Sequence, residues 1–139
     1  MTTCFAFIGF GEAAQYISRG LLDAGAAVTG AYDILFDAPD GGGEKGNSVR
    51  AALADRGIPA ATDNASAVAG ADLVFSAVTA KQVAAAGDAT GPHLAAGQLF
   101  LDINSASPGA KREASHAVTA AGAHYVCLLY TSPSPRDRG

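Results

Sequence analysis

Short, mostly apolar runs alternate along this chain with longer stretches that carry helical spacing or helix-start signals. Runs of this kind are typical of parallel strands that are buried on both faces of a sheet. Strands are predicted at 4–8, 27–32, 73–78, 99–103 and from His124, with a weak additional strand at 58–61. Helices are predicted at 12–23, 48–56, 81–89 and 108–121, with a shorter one from Asp63.

The first predicted helix shows helical spacing most clearly, because Tyr16, Ile17 and Leu21 recur along one side of it. Thr79 stands where it would cap the helix after the third of these strands, and Pro108 opens the last helix. Strands and helices that alternate throughout imply a parallel sheet covered on both faces, with ligands at the carboxyl ends of the strands. The sequence therefore predicts an α/β fold, a Rossmann-type doubly wound parallel sheet in three αβα layers.

Two glycines join the first predicted strand to the first helix, in the stretch Ala6-Phe7-Ile8-Gly9-Phe10-Gly11-Glu12-Ala13-Ala14. Gly9 would allow a sharp turn, Gly11 would allow the backbone to approach a phosphate, and Ala13 or Ala14 would keep the helix close to the sheet. Free N–H groups and the positive end of the helix dipole favour a bound anion. The spacing predicts a pyrophosphate site for a dinucleotide.

Asp33 ends the second predicted strand, about twenty residues after the glycines, where a carboxylate can accept the hydroxyls of the adenosine ribose. The same carboxylate would repel a 2′-phosphate, so NAD is the predicted cofactor. NADP stays open, because Lys45 or Arg50 in the following glycine-rich loop could cover a 2′-phosphate. A plain turn aspartate is the alternative interpretation of Asp33.

Charge and cysteine content narrow the classes of partner. The 139-residue chain has a net charge of −4 and no basic cluster, so neither nucleic acid nor a membrane surface is an expected partner. Its two cysteines, Cys4 and Cys127, form no disulfide framework and no metal-binding spacing, which favours a cytoplasmic location and no metal. No apolar stretch approaches the ~20 residues that a transmembrane helix needs. Small molecules are the expected partners.

Three segments together resemble the N-terminal cofactor domain of the β-hydroxyacid dehydrogenases, which include 6-phosphogluconate dehydrogenase and 3-hydroxyisobutyrate dehydrogenase-like enzymes. They are Ile8–Ala14, Ser76-Ala77-Val78-Thr79, and Leu101-Asp102-Ile103-Asn104-Ser105-Ala106-Ser107-Pro108, which is similar to the substrate loop of that family. The resemblance places Gly9, Phe10, Gly11, Glu12 and Ala13 at the pyrophosphate. It places Val78 and Thr79 at the nicotinamide ribose, Ser105 near the nicotinamide, and Asn104 with Ser105 at the substrate.

The resemblance implies an oxidoreductase that moves hydride between a nicotinamide cofactor and the hydroxyl group of a small hydroxy acid, and a homo-oligomeric full-length protein. Residues 1–126 would be the cofactor domain, without the helical domain and catalytic lysine of the family. No catalytic residue is therefore predicted, and the chain alone is expected to be inactive. Residues 127–139, with their Ser-Pro-Ser-Pro-Arg run, are predicted to be a non-native or disordered tail.

Three alternatives stay open at this point. An S-adenosylmethionine-dependent methyltransferase would share the glycine turn and the acid after the second strand. A non-catalytic module that senses NAD(P) would use the same cofactor site. Asn104 and Ser107 could also serve only to shape and cap the helix that begins at Pro108.

Overall fold

The computed structural model describes residues 3–127 and contains five strands and five α-helices. The strands are β1 (Cys4–Ile8), β2 (Ala27–Tyr32), β3 (Leu73–Ser76), β4 (Leu99–Asp102) and β5 (His124–Cys127). The helices are α1 (Glu12–Asp23), α2 (Gly43–Arg56), α3 (Asn64–Val68), α4 (Val83–Thr90) and α5 (Pro108–Ala120). Three short 3₁₀ turns lie at Ile34–Asp37, Ala80–Gln82 and Gly91–His93.

The five strands form one sheet in the order β2-β1-β3-β4-β5, and every pair is parallel. Alternate residues of β1 face opposite sides, so Phe7 packs with α1 and α2, while Ala6 and Ile8 pack with α3, α4 and α5. Both faces are therefore covered by helices. The predicted doubly wound αβα fold is confirmed.

Helices α4 and α5 pack closely against each other because they meet through small residues. A Cβ on Gly87 of α4 would lie 2.5 Å from the Cβ of Ala114 in α5. Real side chains do not approach this closely, so the two helices touch where one of them has no side chain. Helix α4 follows β3 and α5 follows β4, so this contact joins the two helices that come after the carboxyl ends of these strands.

Several predicted boundaries need correction. Helix α2 begins at Gly43 instead of residue 48, and the predicted strand at 58–61 is a single bridge between Ala31 and Ala60. The buried face of α1 is formed by Ala14 and Ser18, whereas Tyr16 is 83% exposed.

The end of the predicted cofactor domain lies close to the end of the described residues. Strand β5 extends to Cys127, one residue beyond the predicted boundary, and the remainder of the predicted tail, 128–139, lies outside the described residues. Over residues 3–127, no helix is both long and apolar enough to cross a membrane.

Candidate functional site

The carboxyl ends of β1, β2, β3 and β4 open into one cavity of about 880 Å³. This volume lies in the upper part of the range found for small-molecule sites. The cavity brings together residues that the sequence separates by almost a hundred positions. Of the predicted site residues, it is lined by Gly9, Gly11, Glu12, Ala13, Asp33, Val78, Thr79, Asn104 and Ser105.

Gly9 makes the turn out of β1 and cannot carry a side chain. Its φ is +89°, and a Cβ at this position would lie 2.2 Å from the carbonyl oxygen of Ala77. Its amide donates to the Tyr32 carbonyl oxygen at 2.7 Å. The turn is therefore pressed between the ends of β2 and β3, and only glycine fits.

Gly11 differs from Gly9, because the space around it is open. A Cβ on Gly11 would have no atom within 4 Å, and Gly11 lies at the cavity wall as the N-cap of α1. In the described part of the chain no side chain caps this helix. The first N–H groups of α1 thus face the cavity without a side-chain acceptor, which fits the pyrophosphate of a dinucleotide.

Phe10 occupies the core instead of the cavity. Its ring is fully buried and packs edge-to-face on Phe7, with centroids 5.6 Å apart. Its backbone amide donates to Oδ2 of Asp33 at 2.9 Å. Of the residues predicted to contact the cofactor, Phe10 alone does not line the cavity, and its part in the turn is to hold Asp33 through its backbone amide.

Asp33 is held at the end of β2 by two backbone amides. Phe10 donates to Oδ2, and Leu35 donates to Oδ1 at 3.0 Å. A carboxylate has about four acceptor positions, so each oxygen can accept one further donor from the cavity. The predicted role in binding two ribose hydroxyls is therefore compatible with this geometry.

A second carboxylate lies near Asp33. Asp37 lines the cavity and accepts a hydrogen bond from the Tyr32 hydroxyl. Burial, together with this hydrogen bond, raises the pKa of Tyr32 well above its ordinary value, so the hydroxyl remains a donor. Sequence reasoning missed Asp37, although its position four residues after Asp33 was a usable signal.

The two basic residues considered for a 2′-phosphate differ in their placement. Lys45 lines the cavity. The guanidinium of Arg50 instead lies over the Phe36 ring, 4.6 Å from its centroid, and donates to the Gly41 carbonyl oxygen at 2.9 Å. Arg50 thus fixes the glycine-rich loop, and Lys45 is the basic side chain at this end of the cavity.

Asn104 links the ends of β3 and β4 through its side chain. Its Oδ1 accepts from the Val78 amide at 2.7 Å, and its Nδ2 donates to the Ser76 hydroxyl at 3.1 Å and to Asp102 at 2.8 Å. Both amide hydrogens are therefore used within the protein. Ser105, the next residue, is exposed and lines the cavity.

Asp102 and Lys111 form a buried ion pair beneath this loop. Asp102 is fully buried, and its Oδ1 lies 3.1 Å from Nζ of Lys111, which is itself buried. Oδ2 accepts from the Tyr125 hydroxyl at 2.5 Å. Burial, together with this hydrogen bond, raises the pKa of Tyr125 well above its ordinary value.

Sequence reasoning placed no role on Lys111, although a detectable signal existed. An aspartate at the end of an apolar strand needs a partner once it is buried, and Lys111 is the next cation along the chain. Ser107 behaves as the structural alternative predicted, because its hydroxyl caps α5 by accepting from the Ala110 amide at 3.2 Å.

The chain is similar to proteins that use nicotinamide cofactors. The model of the family described as "NADP oxidoreductase coenzyme F420-dependent" matches residues 4–106. Comparison with the curated proteins gave no match. The family match confirms the resemblance to NAD(P)-dependent oxidoreductases that the glycine turn and the loop at 101–108 indicated.

Solved structures give the same fold over nearly the whole chain. A conserved hypothetical protein from Sinorhizobium meliloti 1021 is 35% identical with a TM-score of 0.81, over 98% of this chain and 44% of that one. The 3-hydroxyisobutyrate dehydrogenase of Mycobacterium tuberculosis, determined with L-serine, is 22% identical with a TM-score of 0.77, over 95% and 42%. An imine reductase from Myxococcus stipitatus, in complex with NADP⁺, is 19% identical with a TM-score of 0.67, over 90% and 39%. The chain thus spans less than half the length of these proteins.

Proposed function

This chain belongs to the family of coenzyme F420-dependent NADP oxidoreductases, and we propose that its cavity binds a nicotinamide dinucleotide, NAD in preference to the NADP of the family description, and presents the nicotinamide to a small hydroxy acid. The bound nicotinamide would supply or accept the hydride. The chain's own residues hold the cofactor across the strand ends and shape the place where a substrate meets it. The family match favours this function over the methyltransferase alternative.

One observation carries the proposal. A single cavity contains a glycine turn with open helix N–H groups, a carboxylate at the end of β2, and a polar edge made by Thr79 and Ser105. A dinucleotide needs these features in this order, because its pyrophosphate joins two ribosyl groups that lie on either side of the turn. A mononucleotide would leave one half of the cavity unfilled.

The preference for NAD over NADP rests on charge. Asp33 and Asp37 both line the end of the cavity where an adenosine ribose would lie, and Lys45 is the basic side chain there. Two like charges 4 Å apart repel by about 1 kcal/mol in water and by about 4 kcal/mol at the effective dielectric constant of a protein surface. A 2′-phosphate at this end would meet repulsion from both carboxylates and one attraction, from Lys45.

The substrate class rests on the loop at 104–107 and on the resemblance of that loop to the β-hydroxyacid dehydrogenases. The exposed Ser105 hydroxyl can donate to, or accept from, the carboxylate or hydroxyl of a small acid. Because the family description names coenzyme F420, that compound is a second candidate for the partner that exchanges hydride.

The chain alone is proposed to turn over substrate poorly. A general acid or base has to reach the reacting hydroxyl, either directly or through one water. Lys45 lies at the adenosine end of the cavity, and Lys111 is buried and paired with Asp102. Lys81, the third lysine, is exposed and does not line the cavity. We therefore propose that none of the three takes the place of the family's catalytic lysine.

Calorimetric titration of the 139-residue chain with NADH, NADPH, coenzyme F420 and S-adenosylmethionine tests the proposal. We expect NADH to bind more tightly than NADPH, and Asp33→Ala to lose most of the NADH affinity. Asp72→Asn is the matched control, because Asp72 also accepts a backbone amide but lies at the opposite end of the sheet. A folded chain that binds neither nicotinamide would overturn the proposed function.

A further inference from the structure

The buried ion pair between Asp102 and Lys111 has no place in the cofactor contacts described above, because neither residue lines the cavity. Both are nevertheless one or two hydrogen bonds from it. We propose that Asp102 and Lys111 are positioning residues that hold Asn104 as a cross-link between β3 and β4, and so fix Thr79 and Ser105 around the nicotinamide. This inference rests on the proposed function.

One carboxylate oxygen of Asp102 accepts three hydrogen bonds. Its Oδ1 accepts the Asn104 backbone amide at 2.9 Å, Nδ2 of Asn104 at 2.8 Å and Nζ of Lys111 at 3.1 Å. A buried carboxylate is costly unless its oxygens are hydrogen-bonded and a nearby charge compensates its own. Lys111 supplies that compensating charge from the first turns of α5.

The rest of the Asn104 side-chain amide is bonded to the end of β3 and the residues that follow it. Its Oδ1 accepts from Val78, the residue before Thr79, and its remaining amide hydrogen goes to Ser76 at the end of β3. The parallel ladder between β3 and β4 ends with Ser76 and Asp102, so the side chain of Asn104 continues the connection beyond the last paired residues. The segments that carry Thr79 and Ser105 are thus tied to each other through Asn104.

The Asn104 side chain has no amide hydrogen left for a substrate. Asn104 is a predicted substrate ligand, yet both of its amide hydrogens and one acceptor position of its oxygen are used inside the protein. Binding a substrate through Nδ2 would break a buried hydrogen bond for each one it made. Asn104 therefore acts through the loop, and the Ser105 hydroxyl, which is exposed, is the group that meets the ligand.

The test compares two ligands that share one half of the cavity. NADH and ADP-ribose carry the same adenosine and pyrophosphate, but ADP-ribose has no nicotinamide. Lys111→Met keeps most of the side-chain volume and removes the charge, so Asp102 loses its compensating partner and releases Asn104. We expect the NADH affinity to fall about tenfold, the worth of one good hydrogen bond, and the ADP-ribose affinity to change less than twofold.

Tyr125→Phe is the matched control. It also removes a hydrogen bond from Asp102, but on Oδ2, whereas Asn104 donates to Oδ1. The ratio of NADH to ADP-ribose affinity should therefore stay at the wild-type value in this variant. The fluorescence of bound NADH, which reports on the surroundings of the nicotinamide, should change in Lys111→Met and remain unchanged in Tyr125→Phe.

Each outcome decides the matter. Equal losses for both ligands in Lys111→Met, or no loss for either, would show that the pair only stabilises the fold and would overturn the inference. If Lys111→Met does not fold, the double variant Asp102→Ala with Lys111→Met removes both buried charges and the oxygen that accepts from Asn104, and an unchanged affinity ratio in that variant has the same meaning. Wild-type protein that binds neither NADH nor ADP-ribose would instead overturn the proposed function itself.

Discussion

Gly9 and Gly11 stand two residues apart in the same turn, and their replacement by alanine should affect different properties, stability at Gly9 and NADH affinity at Gly11. At Gly9, alanine has to adopt a φ of +89° and place its Cβ 2.2 Å from the Ala77 oxygen. The backbone conformation costs about 1–2 kcal/mol and the overpacking about 1–3 kcal/mol. Gly9→Ala should therefore lower the free energy of unfolding by roughly 2–5 kcal/mol.

At Gly11, the same methyl group meets no atom within 4 Å and projects at the wall of the cavity. Alanine is a poorer N-cap than glycine, so the stability loss should stay below about 1 kcal/mol. The methyl group would instead occupy space that the pyrophosphate needs. The NADH affinity should fall at least about tenfold, which corresponds to roughly 1.4 kcal/mol.

Thermal unfolding followed by circular dichroism separates the two effects. For a chain of this size, 1 kcal/mol shifts the Tm by about 4 °C, so Gly9→Ala should melt roughly 10 °C or more below the wild type. Gly11→Ala should melt within about 4 °C of it while binding NADH weakly. The reasoning fails if Gly9→Ala melts with the wild type, or if the two variants lose the same stability.

Two further predictions concern stability away from the cofactor. Gly87→Ala should lower the free energy of unfolding in urea by about 1–3 kcal/mol, because its Cβ would meet Ala114. Gly20→Ala, in open space on α1, should raise it by about 0.5–1 kcal/mol. Equal effects at both positions would contradict the close α4–α5 contact. Tyr32 and Tyr125 have folded-state pKa values above the unfolded value near 10, so stability is complete below about pH 10 and falls above it as the unfolded chain releases protons that the folded one keeps. Urea titrations between pH 8 and 11 should show this decline, and Tyr32→Phe with Tyr125→Phe should flatten it; a decline that persists unchanged in the double variant would show that other groups cause it.

The first βαβ unit could be predicted from sequence because local signals agree there. The predicted bounds of β1, α1 and β2 are those of the structure. Apolar runs, the glycine turn and the acidic residue after β2 all indicate the same arrangement, and cavity-lining residues follow directly from the rule that parallel strands present their carboxyl ends together.

Prediction was weaker where local and tertiary effects disagree. Gly43 and Gly46 argue against a helix at the start of α2, yet the Arg50 guanidinium holds the preceding loop through the Gly41 carbonyl and the helix forms. Pro59 has no N–H group, so the segment 58–61 forms a single bridge with Ala31 and does not extend into a strand. Neither the Arg50 contact nor the pairing with Ala31 is visible in sequence spacing.

The candidate site shows the same division. Residues at strand ends could be assigned to the cavity from the sequence, whereas the burial of Phe10 depends on the packing of its ring against Phe7. The pairing of Lys111 with Asp102 depends on how α5 turns back over β4, and the alanine-rich sequence of α5 hides which of its faces is buried. Such contacts are set by the fold and not by the local sequence.

The position of β1 between β2 and β3 has a consequence for protein synthesis. This strand leaves the ribosome well before its second neighbour, β3, and the Cys4 amide at its start donates to Asp72, which is 68 residues further along the chain. Until that segment has been made, one edge of an apolar strand that carries Phe5 and Phe7 has no partner. Unpaired apolar edges attract other chains and chaperones. Ribosomes that pause between β2 and β3 should therefore release the most aggregation-prone products of this gene.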